Sequence, residues 1–170
     1  MSQSRTPAKP SFEDLVDAYS GEIFAYLWRL LRATDDAEDC LQETYLRAYR
    51  AYSHLRSAAN LRAWLYRIAT NVARTHARRL TRTATRTADL DPDIRQTGLS
   101  VAEAFDHRQR LAQLAVAVEA LPHKQRAALM MRRYQGLDYA SIAQALGSSE
   151  EAARANVYQA LKKLRATFPR

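Results

Sequence analysis

The apolar residues of this chain recur at three- and four-residue intervals in two blocks, and the residues between the blocks keep no period. In the first block Phe12, Leu15, Val16, Tyr19, Ile23, Leu27 and Leu30 fall on one side of a helix. Leu61, Leu65, Ile68 and Val72 follow at spacings of four, three and four. In the second block Leu111, Leu114, Val118 and Leu121 repeat the pattern, as do Ala153, Val157, Ala160, Leu161 and Leu164. Thr81 to Ser100 is rich in Thr, Asp and Arg and holds Pro92 and Gly98. Four glycines and five prolines are too few for a turn-rich β fold, and Ala, Leu and Arg favour helix. The expected fold is all-α: two small helical domains joined by a flexible linker, the C-terminal one containing a helix-turn-helix. A disordered tail takes 1–10, the first domain 11–80, the linker 81–102 and the second domain 103–170.

Local signals divide these blocks further. Ser11 and Asp14 have the spacing of a capping box, and Ser20-Gly21 predicts a break in the first helix. Asp35, Asp36, Glu38 and Asp39 open the next helix, where acids suit the positive end of the dipole. Its inner face uses Ala37, Leu41, Tyr45 and Ala48, and Tyr52 to Ala59 reads as a loop. A long helix spans about Asn60 to Leu80. Pro122 stops the helix that carries Leu111 to Leu121, and Lys124 to Tyr134 is a short helix. Asp138 to Leu146 and Ser149 to Thr167 are two more, with Gly147 between them.

Charge is sorted along the chain. Thr44 to Ala88 carries ten arginines and no Asp, Glu or Lys, whereas the 43 residues before it hold nine acids against four bases. With a formal net charge of +8, the chain suits a polyanionic partner. On the long helix Asn60, Arg67, Asn71, Arg74 and Arg78 form a polar stripe about 120° from the apolar one. Tyr45, Tyr49, Tyr52, Trp64 and Tyr66 are interleaved with the arginines. Rings beside cations suit unpaired bases, which stack while arginines hold phosphate. Core packing is the competing use of every such ring, and Trp64 fits it better.

The last two helices have the requirements of a helix-turn-helix. Ala143 is small where two backbones approach, and Gly147 tolerates positive φ in the turn. Ser149 caps the second helix, and Arg154, Tyr158, Lys162 and Arg165 lie away from its apolar stripe. Such a face suits the major groove, and an ordinary helical hairpin with a solvated charged face has the same pattern.

Other chemistry is not signalled. A single cysteine, Cys40, allows no intrachain disulfide, and the four histidines show no metal-ligand spacing. No nucleophile–base pair or phosphate-cradling glycine loop is evident, so no catalysis and no cofactor are expected. No apolar run reaches the roughly 20 residues of a membrane span, and Met1 to Pro10 has no apolar signal core. A cytoplasmic protein without membrane insertion is expected.

Taken together these residues resemble the sigma-70 superfamily of bacterial transcription initiation factors, in its short extracytoplasmic-function form. Asp36-Ala-Glu-Asp-Cys-Leu-Gln-Glu-Thr-Tyr-Leu46 resembles the family's polymerase-binding helix. Asn60 to Asn71, with Arg78-Arg79, resembles its promoter-melting segment. Leu121-Pro-x-x-x-Arg126, Gly136-x-x-Tyr139-x-x-Ile142-Ala and Leu146-Gly-x-Ser149 resemble its C-terminal domain.

The resemblance implies partners and roles. Asp39, Gln42, Glu43 and Leu46 dock on a coiled coil of the largest subunit of core RNA polymerase. Tyr52, His54, Asn60, Arg62, Arg67, Asn71, Arg74, Arg78 and Arg79 bind the minus-ten element and hold one strand of promoter DNA. Ser149, Glu150, Arg154, Asn156, Tyr158 and Lys162 read the minus-thirty-five element as duplex. An anti-sigma factor restrains the protein. The chain departs from the family's usual Glu at Ser141, apolar residue at Ser148 and frequent Asp at Thr75, which leaves its promoter sequence open. A helix-turn-helix regulator acting without polymerase and a single-stranded RNA binder remain alternatives on the residues alone.

Overall fold

The computed structural model describes residues 9–55, 59–83 and 101–168, and within these the side chains of 83 and 101–107 are left aside. Every regular element among the described residues is helical: α1 Phe12–Leu31, α2 Thr34–Tyr52, α3 Leu61–Thr83, α4 Val101–Glu119, α5 His123–Arg133, α6 Tyr139–Leu146 and α7 Glu150–Thr167. Most of the expected linker lies outside the described residues.

Capping chemistry sets most boundaries. Ser11 Oγ accepts from Asp14 N–H at 3.1 Å and the Asp14 carboxylate accepts from Ser11 N–H at 3.3 Å, which completes the capping box. Contrary to expectation, α1 runs unbroken through Ser20-Gly21. Gly21 costs about 1 kcal/mol in a helix. Ile23, Tyr26, Leu27 and Leu30, all buried just beyond it, outweigh that. Helix α2 has no side-chain cap, and Asp35 and Asp36 supply negative charge to its first turn instead. At the start of α3, Asn60 takes a left-handed φ of 55° and its Oδ1 accepts from Ala63 N–H at 3.0 Å. Asp138 caps α6 through Ser141 N–H, and Ser149 caps α7 through Ala152 N–H. Gly147, at φ 59°, makes the turn between them.

Helices α1, α2 and α3 pack around Leu15, Ile23, Leu27, Ala37, Ala48 and Leu65. Tyr26 and Tyr66 meet edge-on with ring centroids 4.9 Å apart, and Tyr26 Oη shares a 2.8 Å hydrogen bond with Thr70 Oγ1. Truncating a buried leucine such as Leu65 would cost about 2–5 kcal/mol. In the C-terminal half α5, α6 and α7 close around Met131, Leu137, Ile142, Ala153, Val157 and Ala160. Helix α4 lies along α7, and Arg126 of α5 donates to its Glu119 carbonyl at 3.3 Å. Its expected apolar face is half-covered: Leu121 is buried and Val118 partly so, but Leu111 and Leu114 are exposed.

The two halves pack on each other in this structure. Helix α3 lies against α6 and α1 against α5, so one hydrophobic cluster runs through both. The last residues of the expected tail are anchored too. Lys9 Nζ donates to the Tyr52 carbonyl and sits 3.8 Å from the centre of the Tyr52 ring, and Tyr52 Oη donates to Pro10 O at 2.6 Å.

Candidate nucleic-acid interface

Helix α2 separates its faces cleanly. Ala37, Cys40, Thr44, Ala48 and Tyr52 point inward and are buried. Asp39, Gln42 and Leu46 point outward and are exposed, and Glu43 beside them forms a 2.6 Å ion pair with Arg47. Leu46 is 52% exposed and Tyr49, one turn on, 67%. An acidic face with exposed apolar residues at one end suits a protein partner of opposite charge. The sequence sets Tyr49 among the rings suited to base stacking, and the helix places it on this outer face instead. The inward face sets the Cys40 thiol up to about 11, chiefly by burial and then by Asp36, Asp39 and Glu43.

The α3 stripe divides along its length. Arg67, Asn71, Arg78 and Arg79 are exposed, and half-buried Arg74 donates to Asn71 Oδ1 at 3.3 Å. The N-terminal end is engaged by protein. Asn60 Nδ2 donates to Ser141 Oγ at 2.8 Å. Arg62 holds both carboxylate oxygens of Glu22, at 2.7 and 3.1 Å, and donates to Gln135 O at 2.6 Å. That bidentate contact with Glu22 raises the Arg62 pKa further. The Arg67 guanidinium faces Gly147, 3.9 Å from where a Cβ would stand.

The aromatic residues mostly serve the core. Tyr66 is fully buried, Tyr52 is 9% exposed, and Tyr45 and Trp64 are partly covered. Burial pushes the Tyr45 hydroxyl up to about 12. Phe12 packs edge-on to Tyr45, Tyr49 and Tyr52. Tyr52 could meet a base only after Lys9 and Pro10 leave it, whereas His54 in the following turn is exposed.

On α7 the face away from the core carries Arg154, Tyr158 and Lys162, all exposed, with Asn156 half-buried beside them. Ser149 and Glu150 stand exposed at its N-terminus. Arg154 is ordered by two neighbours. Its guanidinium pairs with Glu150 at 2.7 Å and lies 4.5 Å from the centre of the Tyr139 ring. Arg132 approaches the same ring at 4.7 Å. Among the described residues no cluster of His, Cys, Asp and Glu could hold a metal, and no helix is long and apolar enough to cross a membrane.

Sequence reasoning did not find the groups along the seam between the halves. His123, at the start of α5, is largely buried, and its pKa falls to about 4. Burial is the main cause, and Arg126, Arg74 and Arg78 add to it. Arg126 is also desolvated, which lowers its pKa. Arg126 closes the Leu121-Pro-x-x-x-Arg126 motif, whereas no spacing in the sequence marks His123.

Residues 15–83 match the family model for sigma-70 region 2, and residues 111–164 match that for sigma-70 region 4. The chain is 30% identical to the RNA polymerase sigma-H factor of Pseudomonas aeruginosa over 168 residues, covering 89% of this chain and 83% of that one. It is 30% identical over 159 residues to the ECF RNA polymerase sigma factor SigE of Mycolicibacterium smegmatis, covering 93% of this chain and 62% of the relative. A match of 30% to SigG of Mycobacterium tuberculosis spans 51% of that relative, so some relatives are much longer than the matched part. Among solved structures, the sigma factor RpoE of Bartonella quintana, in complex with the anti-sigma factor NepR, shares the fold. Its TM-score is 0.68 at 21% identity, over 94% of this chain and 98% of that one. CnrH, in complex with the cytosolic domain of CnrY, has a TM-score of 0.66 at 22% identity, over 91% and 85%.

Proposed function

Because this chain belongs to the sigma-70 family, in its extracytoplasmic-function group, we propose that it binds core RNA polymerase, directs it to particular promoters and helps to melt them. The observation that carries this reading is the pairing of two outward faces on adjacent helices. Asp39, Gln42, Glu43 and Leu46 point out from α2, and Arg67, Asn71, Arg78 and Arg79 point out from α3. The first face docks on the coiled coil of the polymerase's largest subunit, and the second receives a DNA strand. Charge complementarity steers the docking.

The labour is divided. Helix α7 enters the major groove of the minus-thirty-five element, with Ser149, Glu150, Arg154 and Asn156 toward base edges and Tyr158 and Lys162 toward phosphate. The α3 stripe, with Tyr52 and His54, holds the opened minus-ten strand. Extruding a base costs a few kcal/mol, and stacking returns roughly 1–3 kcal/mol per base. The polymerase performs the chemistry, and this chain is not an enzyme and needs no cofactor. It acts in the cytoplasm, where polymerase and promoter are. One structural relative, RpoE, was solved with the anti-sigma factor NepR, which supports a similar restraint here.

The test is reconstitution. The purified chain, added to core polymerase, should produce transcription from a subset of promoters in a genomic library. Tight promoter binding without polymerase, and no transcription with it, would replace this reading with that of a conventional duplex-DNA regulator.

A further inference from the structure

Tyr52, at the end of α2, lies with its ring 6.1 Å from that of Trp64, near the start of α3. Asp36, near the start of α2, meets His76 toward the far end of α3, so the two helices run antiparallel. His76 Nε2 and Asp36 Oδ1 share a 2.8 Å hydrogen bond, and both side chains are half-buried. This bond stands at a particular place. On α3 the inward positions Ala69, Val72 and Ala73 are buried, and His76 continues their line by one more turn. It is polar where its predecessors are apolar, and from Arg78 to Arg82 every side chain is exposed. Where the apolar core ends, a hydrogen bond to a carboxylate takes over.

The two partners differ in how firmly they are held. Asp36 lies in the first turn of α2, a helix with no side-chain cap, where a carboxylate is favoured by the helix dipole. Its neighbours Ala37 and Cys40 are buried, so its place is set by the core. His76 sits instead where its helix leaves the core. Arg74 and Arg78 are each two residues from it, or about 160° round the helix. The ring therefore faces α2 from one side of α3, and the guanidinium groups leave from the other. Whatever fixes His76 also fixes the direction of the face that carries Arg74, Arg78 and Arg79.

Resting on the function proposed above, we propose that His76 is a positioning residue for promoter opening. Its bond to Asp36 braces the far turns of α3 and aims their arginines at the opened strand, while the ring itself touches no DNA. Helix ends without tertiary support fray, and a strand held by a fraying turn loses the geometry set for it. The brace also ties the strand-holding helix to α2, whose outer face takes the polymerase. The bond needs only an N–H donor at the place of Nε2. Glutamine supplies one there and alanine does not.

Amide hydrogen exchange of the full chain tests the brace without polymerase or DNA. From Arg78 to Arg82 the amides should exchange about two- to tenfold faster in His76→Ala, and within about twofold of the parent in His76→Gln. Unchanged exchange in His76→Ala, or equal acceleration in His76→Gln, would overturn it. The holoenzyme tests the role. Permanganate reactivity of the minus-ten thymines should fall about threefold or more in His76→Ala, with core capture and duplex binding within about twofold of the parent. His76→Gln should restore the reactivity. Opening at the parent level in His76→Ala refutes the role and leaves only a structural bond. Parallel loss of capture, or a glutamine variant no better than alanine, refutes it too. A parent holoenzyme that opens no promoter counts against the proposed function, whereas the exchange measurement reports on the brace by itself, so the two failures are distinguishable.

Discussion

Asn60 and Ser141 join the two halves of the molecule through a single 2.8 Å hydrogen bond between side chains 81 positions apart. The same asparagine starts α3: its Oδ1 accepts from Ala63 N–H, and its backbone takes the left-handed conformation. Asn60→Ala removes the cap, at about 1 kcal/mol, and strains the backbone by roughly 1–2 kcal/mol. Asn60→Gly removes the strain but not the other losses. Urea unfolding should place Asn60→Ala about 2 kcal/mol below the parent and Asn60→Gly about halfway between.

Gln42→Ala, Glu43→Ala and Leu46→Ala should weaken capture by core polymerase without lowering the melting temperature by more than about 1 °C. All three side chains stand on the outer face of α2, and such positions change stability little. A pull-down on immobilised core polymerase measures the first effect and a thermal melt the second. Undiminished capture by all three would move the docking surface elsewhere.

Asn71→Ala and Arg74→Ala should reduce promoter opening more than duplex binding. Arg74 both supplies charge and holds Asn71 by a 3.3 Å contact, so the double variant should fall well short of the sum of the two losses. Permanganate reactivity of unpaired thymines reports opening, and electrophoretic shift of the holoenzyme reports binding. Equal losses in both would assign the pair to general phosphate attraction.

The ring of Tyr139 carries two guanidinium groups, from Arg154 and Arg132. Such contacts contribute about 0.5–1 kcal/mol at exposed sites, enough to favour one orientation of Arg154. Tyr139→Leu should therefore relax sequence preference in the upstream element as Arg154→Ala does, and Tyr139→Phe should keep it. Selection from a randomised upstream element, read by sequencing, compares the three. A phenylalanine variant as relaxed as the leucine one would remove the ring from the explanation.

The helices were legible because their apolar spacing and caps are local properties. Ser11, Asp138 and Ser149 mark helix starts within three residues of the N–H groups they receive. Gly21 misled because its cost is local, whereas the burial that overrides it comes from α2 and α3. The α3 stripe of four apolar residues understated the buried face, which also takes in Tyr66, Ala69 and Ala73. That wider face explains why rings set among arginines serve the core. On α4 the period was legible at Leu111 and Leu114, but a period does not say whether another element covers it. The outer face of α2 and the distal α3 stripe could be read from residue type and spacing. The engagement of Asn60 and Arg62 could not, because a polar side chain bonded across a seam has the same sequence signature as one in solvent.

Helix α3 has 23 residues, a length of about 35 Å, which is close to one turn of B-form DNA. Its buried residues end at Ala73, and from Arg78 to Arg82 every side chain is exposed. A strand laid along it would meet a rod supported by the core over its first half and protruding over its second. Thr75 and Thr81 bond back to the carbonyls of Asn71 and Ala77, and such bonds bend helices slightly. On the proposed function, the far half of the strand's track therefore lies on a stretch that adds nothing to the buried core and carries two such threonine bonds.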